Sequence, residues 1–310
     1  MRYCALVLWL TGMLVAQQAR QTSIRSYDLN GRPVADGVIT DTNGTTVESI
    51  TGVNGRTVPL EKVEERVLRE DSSSRVIERT VRPYDQNGAP GPARKIRIEE
   101  EKNADGSVNS LTTVYRGDLN GSFVLAERVR RDAAKSGDLE SSTTTVEQPT
   151  LNNSLEVVET RRGTLKKTEA ASQEDVLTYR RDENGRFQEA VRRVTERAEK
   201  DGHASEKTNE YIAGEGGKLK FNGLVVSESE KRADGSEIKQ VSVYGDVAAG
   251  RPGTGSPQLR EQQLIEKRAG PGGSLLETFS VRRPALDNPN DLGAYQKISE
   301  RVCTGDCSKK

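Results

Sequence analysis

Residues 179–211 read YRRDENGRFQEAVRRVTERAEKDGHASEKTNEY, and this stretch decides the fold. It begins and ends on a tyrosine and holds two turns, Asp182-Glu-Asn-Gly185 and Asp201-Gly202, with a polar segment after each. Asn-Gly and Asp-Gly reverse a chain at little cost, because these residues tolerate positive φ and the Asp side chain caps the bend. The unit recurs. Aligned on its first residue, the column reads Tyr84, Tyr115, Glu147, Tyr179, Tyr211 and Tyr244, with steps of 31, 32, 32, 32 and 33. A fixed period of that length marks an array of stacked supersecondary units.

The first turn returns as Asp28-Leu-Asn-Gly31, Asp41-Thr-Asn-Gly44, Asp85-Gln-Asn-Gly88 and Asp118-Leu-Asn-Gly121. The second returns as Asp105-Gly106, Ser136-Gly137 and Asp234-Gly235. Segments such as Ser110–Tyr115, Ser141–Val146 and Ile238–Tyr244 alternate and are rich in β-branched residues, so they are expected to be strands. The other segment of each unit is ambiguous. Phe187, Val191, Val194 and Ala198 are spaced for a helix face, as are Leu60, Val63 and Val67, whereas Lys95–Ile98 and Gly223–Ser227 look like strands. Repeats share one secondary structure, so strand is favoured, and a β-α repeat with a charged helix stays open.

The expected fold is therefore all-β: an extended antiparallel meander of roughly 32-residue β-hairpin repeats, solenoid-like or a curved single sheet. It would hold around fourteen to sixteen strands of roughly 8–13 residues each. Opposite charges recur inside the strands, as in Glu65-Arg66, Glu127-Arg128, Glu196-Arg197, Glu266-Lys267 and Glu300-Arg301, and would fix register across strands.

Only 33% of the 310 residues are apolar and the mean hydropathy is −0.73, too polar for a compact globule of this length. Lys plus Arg and Asp plus Glu number 47 each and are interspersed, which argues against nucleic acid or anionic membranes as partners. Arg2 precedes the apolar run Ala5–Val15, followed by Ala16 and Ala19, which reads as a secretory signal helix over residues 1–19. The repeat array is then expected over 20–302 and a short tail over 303–310. Export would place the chain in a secreted or periplasmic location, with no stable membrane span after cleavage. Cys303 and Cys307 are positioned to close a small disulfide loop in an oxidising compartment.

Catalytic chemistry finds little support. His203 is the lone imidazole and sits beside a turn. Asp-x-Asn-Gly brings its glycine two residues too early for a calcium loop. No metal or cofactor is expected, no carboxylate pair stands out, and the chain reads as a non-enzyme. Asn43-Gly-Thr45, Asn120-Gly-Ser122 and Asn152-Asn-Ser154 match the glycosylation acceptor pattern as by-products of turns. The connections after Tyr244 and from Arg283 to Gly293 are expanded at the same end of the hairpins.

Tyr27-Asp-Leu-Asn-Gly-Arg32, Tyr84-Asp-Gln-Asn-Gly88 and Tyr179–Arg186 resemble the Tyr-Asp…Gly-Arg signature of YD (Rhs-type) repeats. That family builds long β-sheets in secreted and surface proteins, so the resemblance implies an extracellular β-array. Tyr115 and Tyr211 depart from it in lacking the adjacent Asp.

The function expected from all this is a structural or adhesive scaffold that presents loops and a charged face. The alternative is a carbohydrate- or cell-envelope-binding module, with an envelope glycan or protein as partner. Its candidate binding residues are Tyr84, Tyr115, Tyr179, Tyr211, Tyr244 and Arg251.

Overall fold

A computed structural model describes residues 20–28, 30–51, 55–118, 120–245, 257–284, 292–305 and 307. The signal segment lies outside them. The chain forms β1 (Arg20–Tyr27), β2 (Pro33–Thr42), β3 (Thr45–Thr51), β4 (Thr57–Glu70), β5 (Ser74–Pro83) and β6 (Arg94–Lys102). It continues through β7 (Val108–Gly117), β8 (Phe123–Ser136), β9 (Leu139–Pro149), β10 (Leu155–Lys167), β11 (Ala171–Arg181) and β12 (Phe187–Lys200). It ends with β13 (His203–Ala213), β14 (Leu219–Lys231), β15 (Glu237–Gly245), β16 (Gln258–Ala269), β17 (Leu275–Arg282) and β18 (Gln296–Thr304). The helical elements among the described residues are single 3-10 turns at Glu215–Gly217 and Pro271–Gly273.

Each strand pairs antiparallel with its sequence neighbours, and β1 also pairs with β18 from Gln21↔Thr304 to Ser26↔Ser299. The meander expectation holds, but the sheet closes into an 18-stranded barrel. This corrects both the open solenoid or curved sheet and the YD-repeat resemblance that implied it. The turn motifs behind that resemblance specify hairpins, and hairpins alone do not decide whether the first and last strands meet.

The ambiguous segments are strands, and their helical spacing has a local cause. Eight even-numbered strands carry an unpaired extra residue near the same end: Val34, Leu60, Ala126, Val158, Ala190, Asn222, Arg260 and Ile298. A bulge shifts the alternation of faces by one residue. Phe187 and Val194, seven apart, thus lie on one face, because Ala190 interrupts the count between them. Such bulges are common at barrel rims, where they increase twist and help the sheet curl.

The turns follow the sequence expectation. Asp28, Asp85, Asp118 and Asp182 each accept two backbone N–H bonds on Oδ1, from the residues two and four ahead, at 2.8–2.9 Å. Asn43 and Gly44 take φ of 50° and 77°, the positive values a two-residue hairpin needs.

The wall has little apolar core. Buried apolar residues are few, among them Val76, Ile77, Val81, Val146 and Val281. Order comes from the backbone ladder and from cross-strand ion pairs such as Glu65–Arg79, Arg128–Glu147, Arg197–Glu206 and Lys267–Glu237. A polar node ties the β6–β7 turn to β8. Ser107 is 1% exposed, and Asn103 Nδ2 donates to Ser107 Oγ at 2.8 Å and to the Ala133 carbonyl at 3.1 Å. Asp105 accepts from the Lys135 N–H at 2.7 Å and from Ser107 N–H and Oγ at 2.9 and 2.6 Å.

These bonds, that from Lys135 foremost, lower the Asp105 pKa from 3.8 to about 2. A depressed carboxylate adds stability that is present above its unfolded value and is lost as pH falls through its folded one. Asp105→Asn is therefore expected to lower the melting midpoint at pH 7, and the gap to the parent should shrink between about pH 4 and pH 2. Thermal melts across that window check it; a gap that does not change with pH contradicts the assignment.

Candidate functional site

The connections β1–β2, β3–β4 and so on to β17–β18 share one end of the barrel, here the tyrosine rim. The remaining connections share the far rim with Arg20 and Thr304. At the bulge level the residue facing the interruption is Tyr27, Ser49, Tyr115, Glu147, Tyr179, Tyr211, Tyr244 or Ser280. The sequence column is thus a ring at one height, and its period is one hairpin with one bulge. Tyr84 bridges to Pro90, and its N–H donates to the carbonyl of the bulge residue Leu60 at 2.8 Å.

Register partners share a face, and following them around the barrel returns to the starting face without contradiction. Tyr27, Tyr115, Tyr179, Tyr211 and Tyr244 share one face, here the tyrosine face. All five are half-buried, and three have a ring contact. The Lys297 ammonium lies 4.8 Å from the Tyr27 ring and the Arg162 guanidinium 5.3 Å from Tyr179, while Tyr211 meets Phe221 edge-on at 6.0 Å. At Glu147 the ring is replaced by a carboxylate that accepts from Arg128 Nε at 2.5 Å.

Sequence reasoning missed Tyr27 and the phenylalanines Phe123, Phe187 and Phe221 as members of this zone. The signal was present: Asn120-Gly-Ser-Phe123 and Asn184-Gly-Arg-Phe187 place a ring directly after the turn. Arg251 lies outside the described residues. Cys303 and Cys307 are bonded, with Cα atoms 6.0 Å apart, so the bond ties the end of β18 to the residues after it.

Both faces of the wall are charged. The tyrosine face carries Arg66, Arg97, Arg128, Arg130 and Arg192 in mid-strand, and the opposite face carries Arg79, Arg131, Arg161, Arg193 and Arg197. A cleft of about 930 Å³ crosses β5–β9, with Glu99, Glu101, Arg128, Arg130, Asp132 and Glu147 in its lining. Arg128 pairs there with Glu147 and Arg130 with Asp132. On the opposite face Glu159 accepts from Arg161 at 2.6 Å and Arg180 at 2.7 Å. Burial pushes the Glu159 pKa up, but the Arg180 and Arg161 bonds outweigh it and the net shift is down. Where shifts are resolved, acids go down and bases go up, the signature of ion pairs and turn bonds rather than of a raised general acid. Among the described residues no three metal-binding side chains converge.

No protein-family model matches the chain, and no curated protein matches it in sequence. A search of solved structures finds the outer membrane protein opdK from Pseudomonas aeruginosa, at 11% identity and a TM-score of 0.47, covering 92% of this chain and 97% of that one.

The scaffold reading needs correction. A rigid open sheet offering a face to partners does not exist here, because the two outermost strands are joined and the sheet has an inside. The glycan-binding module meets the same correction, because the open sheet that was to present it is closed; of its tyrosines, Tyr179 meets Arg162 and Tyr211 meets Phe221. These rings hold the rim together. Tyr179→Ala is expected to reduce unfolding free energy by about 1–2 kcal/mol, and Tyr179→Phe by much less, because the ring rather than the hydroxyl meets Arg162. Urea denaturation distinguishes the two; equal losses would refute the ring contact.

Proposed function

We propose that this barrel is an exported, passive, water-filled conduit of the cell envelope, which admits small hydrophilic solutes and has a wall wetted on both sides. The observation that carries the reading is closure combined with charge on both faces. At ~4.8 Å between strands and a tilt of about 40°, a ring of 18 strands is roughly 35 Å across between Cα atoms. Side chains do not fill a barrel of that width, and water does. Whichever face looks inward, it presents arginines and carboxylates held in pairs, a lining suited to hydrated solutes. Export is supported by the Arg2, Ala5–Val15 and Ala16 pattern and by a disulfide that suits an oxidising compartment. The reading is non-catalytic, in keeping with the pattern of ionisation shifts.

A second reading, a pore embedded in an outer membrane, is favoured by the even number of antiparallel strands and by expanded connections on the rim opposite Arg20 and Thr304. No helix among the described residues is long and apolar enough to cross a membrane, which says nothing about strands. The charge on both faces supports the wetted wall. An Arg at the bilayer midplane of a barrel wall costs about 2–4 kcal/mol and less toward the interfaces, so the arginines of whichever face looks outward oppose insertion. Adjacent positions on β9 report on the two faces, because Thr144 pairs with Arg131 and Thr145 with Arg130. Nitroxides on Thr144→Cys and Thr145→Cys, with lipid vesicles present, should both be relaxed by a hydrophilic nickel chelate. A label relaxed by oxygen and shielded from nickel on either face would reject the wetted wall in favour of the embedded pore.

A further inference from the structure

Every tyrosine and phenylalanine among the described residues lies in the half of the barrel nearer the tyrosine rim. Tyr27, Tyr115, Tyr179, Tyr211 and Tyr244 end the odd strands there, Phe123 and Phe187 begin even ones, and the far rim has no counterpart among those residues. Hairpin chemistry does not require this asymmetry, since the far-rim turns are built equally well without aromatic residues. Apolar side chains are exposed at both rims, Val67, Leu68, Val108 and Leu139 at the far one, but among the described residues only the tyrosine rim adds aromatic rings to them. Leu151 is fully exposed, and Val34, Phe123, Val124 and Phe187 are 42–55% exposed.

Cations accompany the rings. Lys95 stands 5.6 Å from Phe123, Arg181 5.3 Å from Phe187 and Arg282 4.4 Å from Tyr295, in addition to the Lys297–Tyr27 and Arg162–Tyr179 pairs. Aromatic rings sit favourably at the headgroup level of a bilayer, with one end apolar and the other wet. The cations beside them are themselves held, Lys95 by Glu78, Arg181 by Glu156 and Lys297 by Glu300, so the rings rather than free charge would carry the contact. A barrel that spans a bilayer carries two aromatic girdles with an apolar band between them. This one has a single girdle, and a charged wall begins directly beneath it, with Arg128 and Arg192 on the same face as the rings.

The geometry points to a barrel that stands on a phospholipid bilayer, with the tyrosine rim seated in the headgroup region and the charged wall left in water. The occupant of the rim is the lipid surface itself, met to a depth of about 5–10 Å, the shallow insertion typical of interfacial segments. This rests on the wetted-wall reading, because the wall's charges are what stop deeper entry.

The test uses the full chain in a Trp9→Phe background, with a single reporter at Leu151→Trp on the tyrosine rim or Leu139→Trp on the far rim. Both positions are exposed, at 104% and 45%, so both variants should keep the fold, and far-ultraviolet circular dichroism checks this. Vesicles of phosphatidylethanolamine and phosphatidylglycerol with brominated acyl chains supply the quencher. The expected result is blue-shifted emission quenched about two-fold or more for the Leu151→Trp protein, and emission unchanged by the vesicles for the Leu139→Trp protein. No quenching at either end overturns rim seating and leaves the wetted conduit standing. Quenching at both ends overturns rim seating and the wetted wall together.

Discussion

The structure depends on one ladder of backbone hydrogen bonds, the one joining the first strand to the last. Between Gln21–Ser26 and Ser299–Thr304 the chain meets itself, and every other strand then has two neighbours. Without that seam the β1 and β18 edges would present unpaired N–H and C=O groups, the usual template for aggregation. With it, a chain containing too little apolar material for a packed core still satisfies its backbone. The barrel substitutes hydrogen-bond closure for hydrophobic burial, which is why few side chains are fully buried.

Closure also gives meaning to the charge pattern. Neighbouring residues in a strand point to opposite faces, so each Glu-Arg dipeptide places one charge on each wall. Glu196 thus shares the tyrosine face with Lys207, whereas Arg197 pairs with Glu206 on the other. A lipid-facing barrel needs the opposite habit, apolar outward at every second position. The recurrent dipeptides thus put charge on both surfaces of the barrel.

Much of the local structure was legible in the sequence because it is local physics. The Asp-x-Asn-Gly bends form as their chemistry requires, with Asp28, Asp85, Asp118 and Asp182 repeating the same pair of bonds. The Tyr column marks a real level of the structure, at which the odd strands face a bulge. What the sequence concealed is non-local or one residue wide. Ala190 and Leu60 look like ordinary strand residues, yet as bulges they change which side chains share a face. Closure leaves even less trace, since Arg20–Tyr27 does not differ in composition from strands that pair only within hairpins. The ring of phenylalanines near the turns was readable in principle from Asn-Gly-x-Phe, and its placement on one rim required the barrel.

The most direct test is a cross-link at the seam. Arg25 lies opposite Glu300 across the closure and opposite Asp36 across the first hairpin. Cysteines placed at Arg25→Cys and Glu300→Cys, treated with a short bifunctional maleimide, should become linked as efficiently as the hairpin control Arg25→Cys and Asp36→Cys. Linkage in the control but not across β1 and β18 would mean that the sheet is open in solution, and the conduit would have no inside.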